Sequence, residues 1–188
     1  LTGGTVSAGN AIEITVTFTS TDLGTLKQDG TIGTSKADSF VKFGADFAKD
    51  MTANGIAAAV VAATTYTADN SRPAIQSFEV NIATGRLTIK FPEAIKASSL
   101  TASGFTLHDQ KGGNGQSHKL TSITPPNANN KDIVFVLSDA DLNAIKKLTN
   151  LCISDSTCFL EMAETAATDM ANNKVQAVTV AAAIKAAT

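Results

Sequence analysis

The chain of 188 residues has no tryptophan and a single tyrosine, Tyr66. Modules that grip sugars or single-stranded nucleic acid offer exposed aromatic faces, so this scarcity disfavours both. Charge of one sign is missing as well. Fifteen basic residues stand against seventeen acidic ones, with no Lys/Arg cluster beside aromatics, which argues against a nucleic-acid partner. No apolar run approaches the ~18 residues that a bilayer span needs, so no membrane span is expected and the chain reads as soluble. Neither an initiating Met nor a signal peptide opens it, which leads to the expectation of an excerpt from a longer chain. No N-x-[ST] sequon occurs and Asn150-Leu151-Cys152 is at best a rare glycosylation pattern, which leaves glycans on Ser or Thr open.

What is there is a duplication. Shifted by 119 positions without a gap, the first third of the chain, Leu1 to Ala63, registers on Leu120 to Ala182. Thr2 falls on Thr121, Ile14 on Ile133, Asp22-Leu23 on Asp141-Leu142, Lys27 on Lys146, Phe40 on Phe159, Asp50-Met51 on Asp169-Met170 and Asn54 on Asn173. Apolar positions match in type too: Val16 with Phe135, Phe18 with Leu137, Leu26 with Ile145, Val41 with Leu160, Ile56 with Val175. Such matching marks shared core positions. The expected organisation is residues 1–63 as the C-terminal part of one repeat, 64–73 as a linker, 74–182 as a complete repeat and 183–188 as the start of the next linker. Leu1 then lies mid-repeat, and the first copy lacks a counterpart to residues 75–119. Its unpaired edges call for an unseen preceding segment or a strand donated by a neighbouring subunit.

Period-two alternation marks strands in both copies, as at Ile12, Ile14, Val16 and Phe18, or at Leu87, Ile89 and Phe91. Pro92 is expected to stop the latter strand. Further strands are expected at Ser39 to Phe43, Ile56 to Ala63, Gln76 to Val80, Phe105 to His108, Asp132 to Leu137, Phe159 to Met162 and Val175 to Ala182. Thr19 and Ser138 each open a short helix as N-caps, and Asp29-Gly30 ends the first. Leu142, Ile145 and Leu148 form the apolar stripe of the second. Asp139 and Asp141 near its N-terminus read as answers to the cap and the helix dipole. About seven short strands with turn signals between them, and one inserted helix, describe an all-β sandwich, with an immunoglobulin-like topology as the default.

Cys152 and Cys158 bracket a short polar segment. A disulfide stapling that loop, which implies an oxidising compartment, is preferred over two free thiols, and a metal site comes third because soft ligands are lacking nearby. The first copy has Gly33 and Ser39 there, so the staple is optional to the fold. Catalysis finds little support. His108 and His118 flank a Gly-rich hairpin loop and read as solvated residues, and Lys111-Gly112-Gly113-Asn114-Gly115 lacks the ending of a phosphate-binding loop.

The runs Thr84-Gly85-Arg86-Leu87-Thr88-Ile89-Lys90-Phe91, Leu137-Ser138-Asp139-Ala140-Asp141-Leu142-Asn143-Ala144-Ile145-Lys146 and Thr168-Asp169-Met170-Ala171-Asn172-Asn173 resemble tandem immunoglobulin-like repeats. Repeats of that kind occur in very large secreted proteins, among them bacterial adhesins and surface proteins of aquatic protists and algae. The resemblance implies a non-enzymatic, extracellular role in a filament, surface appendage or cell-wall layer, with copies of itself or related repeats as partners. Spacer repeats of an adhesin, or a carbohydrate-binding accessory module, are the alternatives. It also implies that the linker at Asp69 and the turns Asp50 to Asn54 and Asp169 to Asn173 can hold calcium, although the family glycine is replaced by Ala53 and Asn172. The plainer reading, that Asp50 and Asp169 cap a tight turn through their own backbone, is preferred, and no other cofactor is expected.

Overall fold

A computed structural model describes residues 2–186, so Leu1, Ala187 and Thr188, with the repeat and linker expectations resting on them, lie outside the described residues. The chain divides into two compact units, Leu1–Asp69 and Asn70–Thr188. Both are built mainly of short antiparallel strands, with one helix each.

In the first unit β1 (Gly4–Val6) pairs with β2 (Val16–Phe18), Gly4 opposite Phe18. The chain then turns into α1 (Ser20–Asp29). Thr19 starts this helix because its hydroxyl accepts from the Asp22 N–H at 3.0 Å. Gly30 ends it in the left-handed region, at φ 65°, where a Cβ would be penalised. A 3-10 turn (Lys36–Asp38) leads to β3 (Phe40–Phe43), which pairs with β4 (Ala59–Ala62), Phe40 opposite Ala62.

The second unit holds β5 (Ser77–Asn81), β6 (Arg86–Ile95), β7 (Phe105–His108), β8 (Ser117–Lys119), β9 (Ile123–Thr124), β10 (Asn130–Leu137), α2 (Asp139–Lys147), β11 (Phe159–Met162) and β12 (Ile184–Lys185). They form two four-stranded sheets, ordered β5-β6-β10-β9 and β12-β11-β7-β8. Alternation aims Leu87, Ile89 and Phe91 of β6 and Ile133, Phe135 and Leu137 of β10 inward. Phe105 and Leu107 of β7 and Leu160 and Met162 of β11 complete one shared cluster. The Phe105 and Phe135 rings meet between the sheets at 5.4 Å. Ile145 of α2 is buried in the same cluster, while Leu142 and Leu148 are only partly covered. Burying each such side chain fully is worth about 1.5–3 kcal/mol, and this cluster holds the unit together.

Two expectations are corrected. Pro92 does not end β6, which continues to Ile95. Lys90 faces Asp132 and Ile95 faces Asn130, so the four residues between them on β6 oppose Lys131 alone. Within that bulge the ladder is already interrupted, and the N–H that proline lacks is not needed. The strand expected from Val175 to Ala182 is also absent. Val178 makes one bridge to Met162, a 3-10 turn follows (Val180–Ala182), and pairing with β11 resumes only at β12, where Ile184 faces Leu160. The Val180 carbonyl accepts instead from the Gly112 N–H at 3.1 Å, which ties the excursion to the β7–β8 loop.

Before β5, Arg72 anchors the start of this unit. Its guanidinium donates to the carbonyls of Lys174 and Val175, at 3.1 and 2.8 Å, and pairs with Glu164 at 3.0 Å. Lys174 reaches the same carboxylate, and these two cations hold Glu164 below the usual carboxylate range, Lys174 having the larger effect.

Candidate interaction surface

Both helices begin on an aspartate that works twice. Asp141, at the third position of α2, is buried. It accepts from the Thr121 N–H (3.0 Å), the Thr121 hydroxyl (2.9 Å), the Ser122 N–H (3.0 Å) and the Ser138 hydroxyl (2.9 Å), with His118 Nε2 at 2.8 Å. Burial alone would raise its pKa, but these hydrogen bonds, that of His118 foremost, outweigh it and hold the carboxyl at about 2. Asp22 accepts in the same way from the Thr2 N–H (2.9 Å), the Thr2 hydroxyl (2.9 Å) and the Gly3 N–H (3.1 Å). Its pKa is lowered, chiefly by the Thr2 backbone. Each carboxylate therefore clips its helix to the segment just before a strand, β1 or β9, about twenty residues upstream. The cap was legible from sequence and the clip was not, although the identity of Thr2 and Thr121 at the 119-residue spacing was the available signal.

The histidines do not form a pair. His118 lies opposite Leu107 and His108 opposite Ser117, so they project from opposite faces of the β7–β8 hairpin. Neither is simply solvated, which corrects the expectation. His118 holds Asp141, and buried His108 places Nε2 2.9 Å from the carboxylate of Glu161, which lies on the adjacent β11. Among the described residues His108 Nδ1 has no hydrogen-bond partner.

Cys152 and Cys158 are joined in a disulfide. Cys152 has φ 53° and Gly33, 119 positions earlier, has φ 68°, so the same left-handed kink is made with and without the staple. A cavity of about 310 Å³ beside it is lined by Val80, Ile82, Cys152, Ile153 and Asp155 among others. Its one carboxylate is engaged with Lys185 at 2.9 Å, which lowers the Asp155 pKa.

The aspartates of the two turns are spent on N–H donors. Asp50 accepts from the backbone of Thr52 (2.9 Å) and Asn54 (2.8 Å) and from the Asn54 amide (3.0 Å). The Asn54 amide makes the largest contribution to a pKa of about 2. Asp169 accepts from the Asn173 backbone at 2.7 Å and its side chain at 2.9 Å. The following Ala53 and Asn172 both take positive φ, 66° and 68°. These donors take up part, not all, of each carboxylate's acceptor capacity. Asp69 pairs with Lys27 at 2.7 Å.

The largest contrast between the units is in what their apolar residues meet. Ile14 is 48% exposed and Ile133 fully buried; Phe18 is 43% exposed and Leu137 4%; Val41 is 57% exposed and Leu160 fully buried. Val16, Phe47 and Ile56 are likewise exposed, whereas Phe135, Ala166 and Val175 are buried. Isolated exposed apolar residues are ordinary, but here they recur at positions whose counterparts 119 residues later are core. Among the described residues no helix is long and apolar enough to cross a membrane. Comparison with family models, with curated proteins and with solved structures finds no match to this chain.

Proposed function

We propose that the chain is a non-enzymatic structural repeat of a large extracellular assembly, a filament, surface appendage or wall layer built of stacked immunoglobulin-like sandwiches. In this reading residues 1–63 are the later part of one repeat and 74–182 a complete one. The observation that carries it is the recurrence, 119 positions apart, of one framework: the buried aspartate clip, the short helix, the 3-10 turn with its kink, and the Asp-to-Asn turn. Building blocks are duplicated in this way more readily than catalytic sites. The disulfide accords with an oxidising, extracellular setting.

The alanine-rich strand β4 supports lateral packing, since small side chains let a neighbouring chain approach closely. A carbohydrate platform is the weaker reading. Exposed Phe47 stands where the second unit has buried Ala166, so it reads as a core residue awaiting cover, while Phe40 stands where the second unit has the half-buried Phe159. Adhesin spacers would share the repeat but not the assembly. Electron microscopy of the native protein separates the two: ordered fibres with a period commensurate with one domain support the assembly, and flexible strings of beads support the spacer.

A further inference from the structure

Among the described residues β2 is paired along one edge, by β1, and β3 along one edge, by β4. The strands 119 positions later are paired along both: β10 lies between β9 and β6, and β11 between β12 and β7. The β1–β2 register, Gly4 opposite Phe18, is the β9–β10 register of Ile123 opposite Leu137. The free edges of β2 and β3 are therefore those on which β6 and β7 would lie. The exposed side chains of Ile14, Val16, Phe18 and Val41 are those that residues 75–119 would cover.

We infer that this face is completed by a polypeptide segment with the pattern of residues 75–119, which adds one strand to β2 and one to β3. This rests on the repeat reading above. The geometry fixes the register. Leu87 faces Phe135 and Leu107 faces Leu160, so the incoming segment sets its Leu87-like residue against Val16 and its Leu107-like residue against Val41. Covering Ile14, Val16, Phe18 and Val41, with the likewise exposed Phe47 and Ile56, removes roughly 500 Å² of apolar surface, a large part of one partner's share of a stable interface. The occupant is not the 75–119 segment of a second copy. Phe78, Leu87, Ile89, Phe91, Phe105 and Leu107 are fully buried in their own unit, so lending them out uncovers as much core as it covers.

The test is a fusion that places a further copy of residues 75–119 directly ahead of Leu1 in the full chain, read by amide hydrogen exchange and by binding of a hydrophobic dye. The expected result is about ten-fold or greater slowing of exchange in β2 and β3 and loss of most of the dye signal. The same fusion with aspartate at the added Leu87 and Leu107 positions should show neither. Unchanged exchange in β2 and β3, while β6 and β10 keep their protection, overturns the inference. So does protection of the face in the unfused chain that grows with concentration, since the occupant is then a second copy. Fibres from the native protein together with an unprotected fusion would sink this inference alone. A protected fusion from a protein that forms no fibres would sink the assembly reading alone.

Discussion

Replacing Asp141 with alanine removes the acceptor for two backbone N–H groups, two hydroxyls and His118 in one step. Leaving a buried donor without a partner costs about 1–3 kcal/mol, and water reaches part of this site, so the expected loss is about 3–5 kcal/mol in the second unit. Asp141→Asn keeps one acceptor oxygen but turns an amide N–H₂ toward the other donors, and should cost somewhat less. The ionised form carries the stabilisation. With the carboxyl held at about 2 against the ordinary 3.8, the contribution is fully present above about pH 4 and is lost as the pH falls toward 2. It amounts to about 2 kcal/mol. Without tryptophan, urea unfolding is best followed by far-ultraviolet circular dichroism, with amide exchange in β10 to assign the transition to this unit. A cost below about 1 kcal/mol for Asp141→Ala, or an unaltered acid transition between pH 4 and 2 in Asp141→Asn, would refute the clip as a stabilising element.

Other perturbations test the remaining parts of the account. A Cβ on Gly104 would fall 2.4 Å from the Ala166 backbone, so Gly104→Ala should destabilise the second unit by about 1–3 kcal/mol in the same urea assay. Opening the short disulfide loop should cost about 2 kcal/mol. The pair Cys152→Gly/Cys158→Ser should be about 1 kcal/mol more stable than Cys152→Ser/Cys158→Ser, because only glycine takes φ 53° without penalty; equal melting temperatures would count against this. Ala53→Gly should slow exchange in the Asp50 turn by an amount worth about 1 kcal/mol, and Asn172→Gly should gain less, since asparagine already tolerates the left-handed region.

Much of the local architecture could be read from residues close in sequence. Thr19 and Ser138 announce their helices because an N-cap needs only the next three residues, and the alternation in β6, β7, β10 and β11 survives because one face of each is buried. Features set by distant partners were not legible. Pro92 looks like a terminator until the bulge against Lys131 is known. The alanine run after Val178 carries no alternation to show that pairing with β11 lapses and resumes at β12. The histidines looked idle because Glu161 and Asp141 are brought to them only by strand register and by α2. The open face stands between these cases: the 119-residue match showed which apolar positions should be covered, and exposure at Ile14, Phe18 and Val41 is visible only in three dimensions.

The most direct test of the account is a density map of the native assembly fine enough to separate strands, which lie about 4.7–4.9 Å apart. The account predicts a periodic fibre in which an additional strand lies along the free edge of β2 and another along that of β3, with Phe18 and Val41 beneath them. An ordered map with solvent at both edges, or particles with no periodic association, would contradict it.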